Sequence, residues 1–372
     1  MYEQIREDTL YIMLYAVVTA TALIASCYLL FRDGNAFAAH IKSPVRLRRW
    51  TAAFFAVFVL NHLWYMLPLF FLTSSEDIKL TDLAGGLLDS ITFFPLAIIV
   101  MLTMLQDRQR PLWPAWAMAM PLVVVMLWCV ISQSDALLPI FIVYLLLMSI
   151  GLMIYMVRAL RQYGRWLRDN YADLEHKEVW HSFVVLGILM LAFGSYMLSN
   201  GASAYEYALQ LVVIVLVGYL LWRVETLSDL SISQQQDLPA DLDNPDKDES
   251  DGSQNDLTDN IEPLLQKYCI DTQLYLQNDL TLPQLAKAVG INRFYLSKYF
   301  SSKEMNYNTY INDLRINHFI SLYREAVATN SPFTVQQLAN DSGYRSYSTF
   351  NFAFKQRMGH TVNAWAKLQN LQ

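Results

Sequence analysis

The chain has 372 residues, 54% of them apolar and only 16% charged, a balance more apolar and less charged than soluble domains show. Its net charge of −6 is unevenly spread: residues 1–224 carry 15 basic and 15 acidic side chains, 225–260 carry one basic residue (Lys247) and 11 acidic ones, and 261–372 carry 11 basic and 7 acidic. This excludes a uniform soluble globule and divides the chain into three regions of different physical character.

The first eight residues, MYEQIRED, are net negative, and the apolar stretch behind them is too long for a signal-peptide core, so no cleavable signal peptide is expected. Apolar runs of membrane-spanning length recur near 9–31, 50–72, 87–106, 112–132, 137–158, 180–200 and 205–224. The fourth and fifth are separated by the short break Ser132–Asp135. Basic residues alternate between successive loops. Arg32, Lys42, Arg46, Arg48 and Arg49 follow the first run, and only Lys79 follows the second. Arg108 and Arg110 follow the third, with no base after the fourth. Arg158, Arg161, Arg165, Arg168 and Lys177 follow the fifth, none follows the sixth, and Arg223 closes the seventh. Cytoplasmic loops are the basic ones. The pattern therefore predicts seven spans over residues 1–225, the N-terminus outside and the C-terminus in the cytoplasm of a bacterial inner membrane.

Polar residues within spans are costly and mark candidate functions. Asn61 and His62 sit mid-span, Asp89 and Ser90 open the third span, and Asn200 and Glu206 flank the outer turn between the last two. They are candidates for sensing an unidentified small-molecule signal; interhelical hydrogen bonding is the competing reading. Pro95 and Pro121 fall inside spans and can kink them. Cys27, Cys129 and Cys269 show no metal-ligand or disulfide spacing and read as small buried hydrophobes. The chain contains no P-loop, no GxGxxG after a strand, no HExxH and no CxxC, so no catalytic residue, metal or cofactor is expected and the protein reads as a non-enzyme.

Residues 226–257 are acidic, rich in Ser, Gln and Pro, and lack an apolar period, so they read as a disordered linker. A flexible coil of that length spans roughly 30 Å. Its charge opposes anionic lipid and DNA alike, which makes it a solubilising tether or a mask for the basic region that follows.

Residues 258–372 contain two copies of one pattern, LAKAVGINRFYLSKYF at 285–300 and LANDSGYRSYSTFNFAF at 338–354. Ala286 and Gly290 recur as Ala339 and Gly343, 53 residues later, with one extra residue after the second glycine. In each copy a short helix ends in a glycine able to take positive φ. An apolar residue follows, and Asn292 or Ser346 is suited to cap the next helix. Leu296 with Phe300, and Phe350 with Phe354, are i,i+4 pairs that bury one face. This pattern builds a helix-turn-helix, the first over about 282–301 and the second over about 334–357. Between them Ile311, Leu314, Phe319 and Leu322 mark one face of a connecting helix over about 307–327. The expected fold is all-α: a seven-helix transmembrane bundle followed by a soluble all-α domain with two helix-turn-helix units.

The combination Asp279–Ala286, Gly290–Phe300, Leu314–Ile316, Leu338–Ala339, Gly343–Ser346, Phe350, Phe354–Lys355 and Gly359–Thr361 resembles the AraC/XylS-type DNA-binding domain over about residues 258–366. The resemblance implies sequence-specific binding of double-stranded DNA, regulation of transcription, a homodimer, and contact with RNA polymerase if the protein activates. By position, the first unit would touch DNA through Asn292, Arg293, Phe294, Ser297 and Lys298, and the second through Arg345, Ser346, Tyr347, Ser348, Asn351 and Lys355. Arg and Lys read guanine edges or hold phosphates. Three positions depart from the family: Phe319 stands where Ala is frequent, Val362 where Pro is usual, and Phe352 where a basic residue is common. The resulting expectation is a membrane-embedded one-component regulator. The rival is a transporter or receptor-like membrane protein with a C-terminal regulatory or protein-interaction domain.

Overall fold

The computed structural model describes residues 8–32, 35–36, 41–71, 75–132, 137–197, 203–230 and 261–369. Among them the fold is helical throughout; the only extended pairing is an isolated antiparallel bridge between Tyr171 and Thr281. The chain divides into two compact units: Met1–Tyr163 with Val179–Ser231, and Gly164–Glu178 with Ile232–Gln372.

The first unit contains α1 (Thr9–Phe31), α2 (Val45–Phe71), α3 (Ser75–Ile91), α4 (Phe93–Met104), α5 (Trp113–Ser132), α6 (Leu138–Asn170, of which residues up to Tyr163 belong here), α7 (Trp180–Met197) and α8 (Ser203–Thr226). Helix α1 packs along α2 and α8, α2 along α3 and α4, and α5 against α3 and α4. Asp8 caps α1 by accepting from the Tyr11 N–H at 3.1 Å. The run expected at 87–106 is interrupted at Thr92, which separates α3 from α4. Thr92 bonds back to the Leu88 carbonyl at 2.6 Å, and Pro95 lacks the N–H that would bond the Ile91 carbonyl.

Three stretches among the described residues are long and apolar enough to cross a membrane: Thr9–Phe31, Ala84–Met104 and Tyr205–Thr226. Among the described residues the expected count of seven is therefore not reached. Trp113–Val125 is a shorter apolar helix. Helix α2 starts among Arg46, Arg48 and Arg49, α6 ends among Arg158, Arg161, Arg165 and Arg168, and side chains within the apolar parts of both, at 67–70 and 141–142, lie outside the described residues. Helix α6 also runs to Asn170, twelve residues past the expected end at 158. Long side chains of Arg and Leu are strong helix formers and carry the helix on where apolar patterning stops.

The segments after the first, third and seventh apolar runs are joined to one another in this unit. The buried Glu225 carboxylate pairs with Arg48 and accepts from the Tyr28 hydroxyl at 3.1 Å and the Ala36 N–H at 2.9 Å. Arg46 reaches the Arg110 carbonyl at 3.4 Å. The Asp229 N–H donates to the Lys42 carbonyl at 2.8 Å, and Gln106 bonds both the Ser228 carbonyl and the Leu230 N–H at 2.9 Å. Leu227 and Leu230 are buried, so chain after the last helix is folded onto the first unit as far as Leu230. The remainder of the expected linker, 231–257, lies outside the described residues. Cys27 is exposed on α1 rather than buried as expected, a position open to an apolar span that faces outward. The side chain of Cys129 lies outside the described residues.

In the second unit, a helix α9 (Ile261–Leu265) widens into a π turn over Gln266–Ile270 and is followed by a 3-10 turn (Leu274–Leu276). Then come α10 (Leu282–Val289), α11 (Arg293–Ser302), α12 (Tyr307–Ala328), α13 (Val335–Asp341), α14 (Tyr347–Met358) and α15 (Val362–Gln369). Two cores form. One gathers Leu265, Cys269, Leu282, Leu285, Leu296, Phe300 and Ile311, and it also includes Ala172 from the upstream segment. The other gathers Phe319, Tyr323, Tyr344, Phe350, Phe354, Val362 and Trp365. Burial pushes the Cys269 thiol up to about 12, which keeps it protonated and unreactive, as a small buried hydrophobe should be.

Candidate nucleic-acid interface

Both two-helix units are built by the same local devices. Thr281 and Gln284 form a reciprocal capping box on α10, with Pro283 in its first turn. Thr334 caps α13 and accepts from the Gln337 N–H at 3.1 Å, 53 residues on from the first pair. Each first helix ends in a positive-φ glycine, Gly290 at 78° and Gly343 at 87°. The next residue turns back onto the small alanine: the Ile291 N–H reaches the Ala286 carbonyl at 3.0 Å, and the Tyr344 N–H reaches that of Ala339 at 3.1 Å. A Cβ on Gly343 would lie 2.8 Å from the Leu276 Cα and carbonyl oxygen, whereas one on Gly290 would meet nothing. Gly343 is thus required by backbone conformation and by a close approach; Gly290 by conformation alone.

The caps then launch the second helices. Asn292 accepts from the Phe294 N–H at 2.8 Å and starts α11; Ser346 accepts from the Thr349 N–H at 3.3 Å and starts α14. Both expected contact residues are therefore helix caps whatever else they touch. On α11, Arg293, Phe294 and Lys298 are exposed and Ser297 is half-buried. In the second unit, Arg345, Ser348 and Lys355 are exposed, while Tyr347 and Asn351 are half-buried. Tyr347 leans on the Phe350 ring, centroids 6.1 Å apart, so part of its surface serves the core. Phe294 is 66% exposed and Phe352 is 73% exposed, which removes both from the core. Counting from the caps, Phe352 occupies the position that Lys298 holds in the first unit.

The departures at Phe319 and Val362 have packing reasons. Phe319 is fully buried, its ring 4.5 Å from that of Phe350 and 5.7 Å from that of Phe354. Val362 is fully buried at the first position of α15, where proline's constraint is dispensable. Arg315 joins the two units. Its Nε donates to the Tyr275 carbonyl at 2.8 Å, its Nη2 to the Gln277 carbonyl at 2.6 Å, and its guanidinium lies 5.5 Å from the Tyr344 ring centre. Burial lowers its pKa.

Sequence reasoning missed one group of contacts. Within the second unit, Tyr171 and Ala172 lie against the start of α10 and α12: the Ala172 N–H donates to the Leu280 carbonyl at 3.2 Å. The Asn308 amide donates to the Ala172 and Tyr171 carbonyls at 2.7 and 3.2 Å. Asp173 accepts from the Glu175 N–H at 2.9 Å and is buried; burial raises its pKa, with Lys177 opposing. The Thr349 hydroxyl donates to Glu175 Oε2 at 3.1 Å. Asp279 lies 3.4 Å from Arg345 and 3.9 Å from Lys177. Contacts made across 174 residues leave no periodicity in a sequence.

The candidate sensing residues of the first unit fall into interhelical pairs. Asn61 donates to Asp89 Oδ1 at 2.7 Å and Thr92 Oγ1 at 3.2 Å, and the Tyr65 hydroxyl donates to Asp89 Oδ2 at 2.7 Å. His62 stacks on Tyr15, ring centroids 3.6 Å apart, with Nδ1 2.8 Å from the Thr19 hydroxyl. Tyr11 donates to Glu206 at 3.3 Å. These polar groups are satisfied by neighbouring helices, and the structure joins Asn61 to Asp89 while leaving Glu206 in a separate pair. Asn200 lies outside the described residues. No group of His, Cys, Asp or Glu suited to a metal occurs among the described residues.

Comparison with curated proteins and with solved structures finds no match. Residues 285–367 match the family described as "Helix-turn-helix domain", of the AraC type, which supports a DNA-binding domain of a transcriptional regulator in this part of the chain.

Proposed function

We propose that this chain is a membrane-embedded, non-enzymatic, one-component transcription regulator whose cytoplasmic C-terminal domain binds specific double-stranded DNA through two helix-turn-helix units. The observation that carries the DNA-binding part is the doubled architecture. Two capped helices, α11 and α14, each follow a glycine turn of the same geometry and expose Arg293 and Lys298 in one unit, Arg345 and Lys355 in the other. Such helices place their first turns at base edges and phosphates of the major groove.

Membrane embedding is supported by the three apolar helices and by the alternation of basic loops. The linkage of the segments holding Arg48, Lys42, Arg110 and Glu225 in the first unit fits those loops sharing one side. In this reading α3 and α4 form one broken span, so that seven passes put the C-terminal domain inside. The polar pairs at Asn61, His62, Asp89 and Glu206 are then positions where an extracytoplasmic or membrane signal acts.

The test is binding of the detergent-solubilised full chain to a labelled duplex from upstream of its own gene. The paired change Arg293→Ala and Lys298→Ala should weaken binding by about a hundredfold if each loses a contact of ~1–3 kcal/mol. Unchanged binding would sink the contact assignment. Accessibility of cysteines placed in the loops at 108–112 and 198–202 to a membrane-impermeant reagent tests the orientation: only the second should react from outside.

A further inference from the structure

The acidic loop at 171–178 has no place in a scheme in which the second unit simply presents α14 to DNA. In sequence it lies between the fifth and sixth apolar runs. In the fold it belongs to the C-terminal unit, with Tyr171, Ala172, Asp173 and Lys177 all buried. Its main chain is fixed on the first helix-turn-helix by the Tyr171–Thr281 bridge and by the Asn308 amide. From that anchor Glu175 reaches the first turn of α14, where its carboxylate accepts from the Thr349 hydroxyl. That hydroxyl is itself 2.9 Å from the capping Ser346 oxygen. His176, next to Glu175, holds a left-handed backbone at φ 60°, a conformation that persists only where surrounding contacts impose it.

The first turn of a helix attracts anions, because its free N–H groups and its dipole point at them. In a DNA complex the anion offered to such a turn is a phosphate. Here a side-chain carboxylate of the same chain lies at that turn, on the Thr349 hydroxyl, while the Thr349 N–H is taken by the capping Ser346. Beside it Arg345 pairs with Asp279 at 3.4 Å, and Lys177 of the loop approaches the same carboxylate at 3.9 Å. Asp173, Glu175 and Glu178 give the loop a net negative sign against Lys177. DNA phosphate and this loop are competitors by charge and by position.

We infer that the loop Tyr171–Glu178 is an intramolecular occupant of the second helix-turn-helix, with Glu175 seated on Thr349 at the start of α14 in the place of a DNA phosphate, so that DNA engages this unit only when the loop withdraws. The inference rests on the DNA-binding reading above. It assigns the masking role to this loop rather than to the acidic linker, and it identifies the occupant's chemistry: a carboxylate set on main-chain anchors.

The experiment uses the full chain in detergent with a labelled duplex from upstream of its own gene. Glu175→Gln keeps an oxygen able to accept from Thr349 and removes only the charge. It should tighten binding by about tenfold, the order expected when one charge-assisted hydrogen bond loses its charge. Glu178→Gln removes a charge of the same sign from the same loop and should give a clearly smaller gain. Equal gains from both overturn the specific seat and leave a general charge effect. No gain from Glu175→Gln, with the wild-type chain binding normally, overturns the inference while leaving the DNA-binding reading intact. No binding by either form overturns both. Hydrogen exchange gives an independent arm: amides at 171–178 should exchange faster once DNA is bound, and unchanged protection there means that the loop does not withdraw.

Discussion

The two helix-turn-helix units share a backbone and differ in what fills them. Thr281 and Thr334, Gly290 and Gly343, Ala286 and Ala339 make the same caps and turns at the same interval. The first unit is packed largely with Leu, Ile and Val and takes Ala172 from far upstream into its core; the second is packed around the rings of Phe319, Tyr344, Phe350, Phe354 and Trp365. Local devices that set backbone direction are repeated faithfully, because each satisfies particular orphan N–H or C=O groups. Side chains in the core need only fill volume, so the two copies reach similar folds with different residues.

The sharpest way to break this comparison is Phe319→Ala, which restores the residue frequent in the resembled family. It should destabilise the second unit by about 4 kcal/mol, since a fully buried ring leaves a cavity among aromatic neighbours. Opening free energies from native-state hydrogen exchange should fall over 334–369 and change far less over 279–302. An equal loss in both units would mean that they open as one.

Next in size is a matched pair of glycine changes. Gly290→Ala carries only the cost of positive φ, about 1 kcal/mol. Gly343→Ala carries that cost together with a clash against the Leu276 backbone, for about 3 kcal/mol in all. The same exchange measurement reads both. Equal effects would show that the Leu276 backbone yields freely.

The glycines also show what a sequence makes legible. Their 53-residue repeat exposed both turns, both caps and the helix between them, because such features depend on residues a few positions apart. All eleven expected DNA-facing residues fall at the turns or on the helices that follow them, although Tyr347 shares its surface with the core. The seven-span count rested on apolar length and on the alternation of basic loops, and neither reveals that α2 and α6 run as helix through arginines beyond their apolar parts. By charge Glu225 groups with the acidic residues that follow it up to 260, yet it is buried against Arg48. The loop at 171–178 was counted only as a basic-loop neighbour of Lys177; nothing local distinguishes a loop that binds a distant helix from one that faces water.

Arg315 is the shared part, and replacing it asks whether the two units depend on each other. Arg315→Lys keeps the charge but cannot fork to the Tyr275 and Gln277 carbonyls, so at least one buried acceptor loses its donor. The expected loss is about 2 kcal/mol, felt in both units because the guanidinium also covers the Tyr344 ring. Confinement of the loss to one unit would remove Arg315 as the joint.

The smallest expected change concerns function rather than stability. Phe352 stands exposed at the position Lys298 holds after its own cap, so Phe352→Lys makes the second recognition helix resemble the first. An exposed side chain leaves no cavity, and stability should move by less than about 0.5 kcal/mol. DNA binding should change in a particular way. One added phosphate contact steepens the dependence of log affinity on log salt by about 0.9, with tighter binding at low salt. The reciprocal change Lys298→Phe should flatten the slope by the same amount in the first unit. If Phe352→Lys leaves the slope unchanged, this face of α14 does not meet the phosphate backbone. If the slope steepens while affinity for the native duplex falls, the exposed ring itself makes an apolar contact in the groove, of the kind a thymine methyl offers.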